Sequence, residues 1–136
     1  MQLLKILSVL VLVLAVNISA KNFPSTVEEI VTNLNTAFNQ GNPDLLANYI
    51  DDKSNFIFNN NVINAVSSYS LNEFLNQVKT KRGDYKSGIV DKAEGQAIIK
   101  MEYENDRLSF VNHVVCVEGD TGWRIVNFTM SLNKNN

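Results

Sequence analysis

Cysteine, histidine and tryptophan each occur once in this chain of 136 residues, and proline only twice. A single cysteine cannot close a disulfide within the chain, so the fold must stand on its core. One cysteine and one histidine also cannot complete a four-ligand zinc shell, and no metal or other cofactor is expected. Long hydrophobic runs are missing as well. The most apolar stretch, Ile6 to Val16, has 11 residues, against the ~20 that a membrane-crossing helix needs. Positive charge is scarce and dispersed, with 12 basic and 14 acidic residues. Without a basic stripe to neutralise phosphates, nucleic acid and anionic membranes are not expected partners.

What is present begins with a leader. "MQLLKILSVLVLVLAVNISA" carries Lys5, the apolar run and then the small residues Ser19 and Ala20, the layout of a secretory signal peptide. Residues 1–20 are expected to be removed, leaving 21–136 as one domain, secreted to the cell exterior or held in the secretory pathway. Within that domain Asn127-Phe128-Thr129 is an N-glycosylation sequon, lying inside an expected strand.

Periodicity divides the domain in two. Ser25 with Glu28 forms a capping box, and Val27, Ile30, Val31, Leu34 and Phe38 recur at helical spacing until Gly41. A short second helix follows the Gly41-Asn42-Pro43 corner. "NFIFNN", 55–60, reads as a strand, the asparagine run after it as a turn, and Ser70 with Glu73 opens a third helix. From Tyr85 onward the pattern is one of strands over 85–93, 96–104, 107–118 and 122–132. Helices first and an antiparallel meander last predict an α+β domain with its helices on one face of the sheet.

The segment "HVVCVEGDTGW" holds the one His, Cys and Trp together. A thiol nucleophile needs its histidine within hydrogen-bond reach. Side chains alternate along a strand, so His113 and Cys116, three apart, point to opposite faces. Phe110, Asn112, Val114 and Cys116 share one face; Val111, His113, Val115 and Val117 share the other. If the first packs on the helices, the second is a candidate homodimer surface.

The order helix, Gly-Asn corner, helix, strand, helix and four strands, ending in Trp123-Arg124-Ile125-Val126-Asn127, resembles the nuclear transport factor 2-like superfamily, and most nearly its SnoaL-like and lumazine-binding-type families. The resemblance implies a strongly curved, mostly antiparallel sheet forming a cone, with the N-terminal helices packed in its concave face, an apolar pocket at one end, and dimerisation through the outer sheet surface. It also places Asn112 where those families carry an aspartate and His113 where they carry a tyrosine. An amide cannot act as a general base, so the leading expectation is a non-catalytic domain that binds a small apolar or aromatic molecule, or that self-associates. The expected pocket residues are Tyr49, Phe56, Phe58, Met101, Tyr103, Phe110, Asn112 and Phe128, which would equally serve as a filled core with two polar atoms satisfied. The alternative is an isomerase, dehydratase or cyclase using Tyr103, His113 or Asp52 for proton transfer, which requires two of these to meet at one cavity.

Overall fold

The computed structural model describes residues 26–80 and 83–134. The expected leader, Ser25 of the first capping box and the last two asparagines lie outside them.

Helix α1 spans Val27–Gln40. Its cap is Thr26, whose Oγ1 accepts the Glu29 N–H at 3.3 Å, and it stops at Gly41, which takes the left-handed conformation (φ 66°) that a side chain resists. Asn42 Oδ1 then accepts the Asp44 N–H, opening the four-residue α2, Asp44–Ala47. Helix α3, Leu71–Thr80, carries the expected cap, with the Glu73 N–H donating to Ser70 Oγ at 3.2 Å. The apolar faces of α1 (Val27, Ile30, Leu34, Ala37, Phe38) and α3 (Phe74, Val78) are buried. Short helices in water gain most of their stability from burial of this kind.

Six strands form one sheet: β1 Ile50–Asn60, β2 Ala65–Tyr69, β3 Lys86–Ala93, β4 Gln96–Glu104, β5 Leu108–Gly119 and β6 Gly122–Lys134. Their order is β2-β1-β6-β5-β4-β3. β1 runs parallel to β6, and the other four pairings are antiparallel. β2 was not legible in the sequence. Its residues Ala65–Ser68 are exposed on both faces, so no alternation marks it as a strand.

The expected cone is not found. Among the described residues the sheet is mixed and open, with β2 and β3 as its edge strands, and is neither closed nor strongly curled. Closure demands that edge strands meet, and curvature demands repeated bulges or glycine kinks. Here the pairings shift register at three places only, between Ile50 and Asn55, Ile89 and Asp91, and Val115 and Cys116. The helices lie across one face of this open sheet, α1 against β3, β4 and β6 and α3 against β1.

The third shift has a consequence for β6. Cys116 pairs with Ile125 and Val115 with Asn127, leaving Val126 as the extra residue. Trp123 and Ile125 are buried before it, and Phe128 and Met130 after it. Trp123, Ile125, Asn127 and Thr129 therefore do not share a face, as uninterrupted alternation requires; the bulge sends Asn127 and Thr129 to the outer surface.

Candidate functional site

The helix-facing side of the sheet is ordered in cross-strand rows. Tyr69, Phe56, Phe128, Val114, Ile99 and Ile89 form one, read from β2 to β3, and Ser67, Phe58, Met130, Asn112, Met101 and Ser87 form the next. Leu132, Phe110 and Tyr103 continue a third. Helix α1 is tied over the β3 end of these rows by two hydrogen bonds. Ser87 Oγ donates to Asn35 Oδ1 at 2.7 Å, and the Tyr85 N–H donates to Asn39 Oδ1 at 2.8 Å.

Aromatic rings fill the space between helices and sheet. Phe74 lies 4.6 Å from Phe128 and 4.7 Å from Phe56, centroid to centroid, and Phe38 stacks on Phe128 at 5.9 Å. From this centre the contacts run outward both ways, through Phe56 to Tyr69 and through Phe38 to Tyr85, Tyr103 and Phe110. Such pairs add about 0.5–1.5 kcal/mol each beyond the area they bury. Burial pushes the Tyr85 hydroxyl up to about 12, with the neighbouring Tyr103 adding to the shift.

Asn112 breaks the apolar pattern. It is fully buried between Met130 on β6 and Met101 on β4, and among the described residues neither its Nδ2 nor its Oδ1 has a hydrogen-bond partner. Tyr69 Oη and Gln77 Oε1 are also buried without partners. Leaving such a group unsatisfied costs about 1–3 kcal/mol. With a donor on one atom and an acceptor on the other, the Asn112 carboxamide can pair with any group that presents both.

The expected pocket residues divide accordingly. Phe56, Met101, Asn112 and Phe128 are buried in the row system, while Phe58, Tyr103 and Phe110 are half-buried beside them. Tyr49 is not with them. It lines a separate depression of about 440 Å³ with Thr26, Glu28, Glu29, Thr32 and Asn33, beside the start of α1. Tyr103 forms part of the wall of a second depression, about 270 Å³, with Asp84, Lys86, Glu102 and Glu104. Gly83 packs on its ring so closely that a Cβ there would sit 2.8 Å from Tyr103 Cε2. Sequence reasoning missed Phe38 and Phe74, the helix rings at the centre of the cluster; their helical spacing marked them as core and nothing marked them as a wall.

The three candidate proton-transfer groups are not brought together. Tyr103 is on the helix-facing side, in register with Phe110. His113 is exposed on the other side, across from Lys100 and Thr129. Asp52 is exposed near the start of β1, two strands from β5. Its neighbour Asp51 holds Arg124 Nε at 2.8 Å. Among the described residues no cluster of three or more His, Cys, Asp or Glu side chains could hold a metal ion.

Cys116 is fully buried, on the face opposite His113. Burial pushes its thiol up to about 12. Because the folded value is raised, the native state keeps its proton after the unfolded thiol begins to lose it near ~8.5. The associated stability is whole below that pH and declines as pH rises toward 12. Native protein at neutral pH is therefore expected to resist an aromatic disulfide reagent, and protein unfolded in guanidinium to react with one thiol per chain. Prompt labelling of the native chain would show that Cys116 is open to solvent.

No protein-family model matches the chain. No curated protein matches it either. Solved structures do. A nuclear transport factor 2-like protein of unknown function from Shewanella baltica superposes with a TM-score of 0.65 at 10% identity, over 80% of this chain and 92% of that one. One from Silicibacter pomeroyi gives 0.63 at 14%, over 79% and 92%. A third, from Methylobacillus flagellatus, gives 0.56 at 15%, over 79% and 91%. At these identities the likeness shows the fold alone and does not distinguish among its narrower families.

Proposed function

We propose that this chain, which shares the nuclear transport factor 2-like fold, is an exported, non-catalytic binding domain. Its interior takes up a small apolar or aromatic molecule, and the Asn112 carboxamide makes the polar contact. The observation that carries this is the pair of unpartnered amide atoms on Asn112, held in an otherwise apolar row. Binding sites commonly combine apolar walls with a few placed polar groups, and a buried carboxamide between two methionines beside an aromatic cluster has that composition. Tyr103 and Phe110 are half-buried in the next row, and Tyr103 also lines the second depression. Methionine side chains repack readily, so Met101 and Met130 can yield to an entering ring.

The test is a side-chain amide spectrum of protein labelled with nitrogen-15, titrated with a panel of small aromatic compounds bearing an amide, acid or hydroxyl. The Asn112 resonances, assigned by their loss in Asn112→Leu, are expected to move on binding. Titrations in which only resonances of exposed asparagines move would remove the proposal.

A second use of the fold rests on a different observation. On the outer face His113 is flanked by the half-buried Val111 and Val115, with Ile98 on the adjacent β4 and Ile57 on β1, two strands away beyond Thr129. Half-buried apolar side chains interspersed with polar ones, Lys100 and Thr129 among them, have the mixed character of a contact with a second copy.

Export is supported by the sequence of residues 1–20 and by the sequon. Thr129 Oγ1 donates to Asn127 Oδ1 at 3.0 Å on the outer face, where Asn127 is half-buried. Chain secreted by a eukaryotic host is expected to begin at Lys21. If Asn127 is modified, N-glycosidase will lower its mass, and that glycan would exclude tight pairing of the outer face. Intact mass spectrometry checks both, and a retained residue 1 would contradict export.

A further inference from the structure

The two edges of the sheet are built differently. β3 carries Lys86, Asp91 and Lys92, and its pairing shifts register at Val90. Charge and a bulge are the usual means of keeping an edge from pairing with another strand. β2 has neither. Its sequence Ala65-Val66-Ser67-Ser68-Tyr69 has no charge, no proline and no irregularity in its pairing with β1. The charge-free region is wider than the strand, since residues 54–72 contain no Asp, Glu, Lys or Arg. The same hairpin also exposes Val62, Ile63 and Val66, the last two by 69% and 70%.

We infer that β2 is a docking edge for a second copy of this chain, pairing antiparallel with the partner's β2 across a two-fold axis to continue the sheet through both molecules. A foreign strand added to an edge is selected by pockets for its alternate side chains, whereas Ala65–Ser68 of β2 stand exposed on both faces. In a two-fold contact residue i of one copy meets residue j of the other and j meets i, so in a strand this short a charge near the axis lies beside its own copy, and an uncharged edge escapes that cost. Pairing would supply hydrogen bonds to the outward backbone groups of β2 and remove Val66 from water. This contact is separate from the outer-face surface around His113 and independent of ligand binding.

Sedimentation velocity from micromolar concentrations upward, on wild type, on Val66→Lys with Ser68→Lys, and on His113→Glu, tests the inference. Both lysines occupy exposed positions, so circular dichroism and the urea midpoint are expected to stay as in wild type. Wild type and His113→Glu are expected to dimerise alike, and the double variant to associate at least about tenfold more weakly. Hydrogen exchange should then show β2 amides slowing as concentration rises. A strictly monomeric wild type overturns the inference. So does a dimer lost in His113→Glu but kept in the double variant. Slow exchange at β2 that persists unchanged on dilution also overturns it, since another segment of the same chain would then cover the edge.

Discussion

Phe74→Ala is expected to lower the free energy of unfolding by about 3–5 kcal/mol, the range for emptying a fully buried aromatic site. The size follows from position. Phe74 is wholly buried and contacts Phe56 on β1, Phe128 on β6 and Phe38 on α1, so one ring ties α3, α1 and two strands together. Helix α3 has only ten residues and two fully buried anchors, Phe74 and Val78. A helix of that length does not hold alone in water, so loss of the larger anchor should loosen the whole turn pattern. For a domain of this size the midpoint of thermal unfolding should fall by more than about 10 °C. Urea unfolding of the variant against wild type measures it. A loss under about 1 kcal/mol would mean that the rings close over the gap and that Phe74 is not central. Phe58→Ala, at a half-buried site, is the control and should cost distinctly less.

Asn112 is expected to respond in the opposite sense. Asn112→Leu keeps the branched side-chain outline, with methyls bulkier than the amide atoms they replace, and removes two unpartnered polar atoms from the row between Met130 and Met101. The variant should therefore be more stable by about 1–3 kcal/mol, less the cost of fitting the larger groups beside two methionines that repack readily. A residue retained at a cost to stability is what a binding role leaves behind. Asn112→Asp gives the companion test. In the unfolded chain the new carboxyl titrates near ~3.9, whereas full burial beside two thioethers raises the folded value. Below that pH both states are protonated and the variant should approach wild type. As pH rises, the unfolded state ionises first, the native state binds more protons, and stability falls by up to about 1.4 kcal/mol per pH unit until the folded carboxyl also ionises. Unfolding midpoints measured from acid to neutral pH should therefore diverge from wild type upward. Parallel curves would show that solvent or a hidden partner reaches position 112.

Much of this arrangement was legible in the residues because local signals agreed with the final packing. The alternation of Ala97, Ile99 and Met101 fixed the inner face of β4, and that of Phe110, Asn112, Val114 and Cys116 fixed β5. Ser70 capped α3 as its spacing required. Three features were not legible, each for a physical reason. β2 packs only its last residue, Tyr69, against the core, and four exposed residues before it leave no hydrophobic period to read. The bulge at Val126 reverses the faces of β6 midway, and an inserted residue cannot be seen without the partner strand that reveals it. Curvature is a property of the whole sheet. The resemblance implied a cone, whereas pairing ends at β2 and β3 and leaves the sheet open.

The inward side of the sheet was legible in part. Alternation found Phe56, Met101, Asn112 and Phe128, and the pairing register then joined them into adjacent rows. Tyr49 sits apart from these rows: its carbonyl accepts the Ile125 N–H at 2.9 Å, and it lines the depression beside the first turns of α1. That Asn112 lacks partners could not be read from sequence at all. Hydrogen-bond satisfaction depends on which groups arrive from other elements, and here Met101, Met130 and the aromatic rings arrive instead.

The most direct test of the binding role is one thermal-shift screen of small aromatic compounds, run on wild type and Asn112→Leu side by side. Compounds that bind the native state raise its midpoint by mass action. The account predicts that some compounds with a paired donor and acceptor raise the wild-type midpoint and leave Asn112→Leu unmoved. A panel that shifts neither protein, or both equally, would contradict it and leave Asn112 as an unpaired amide in a filled core.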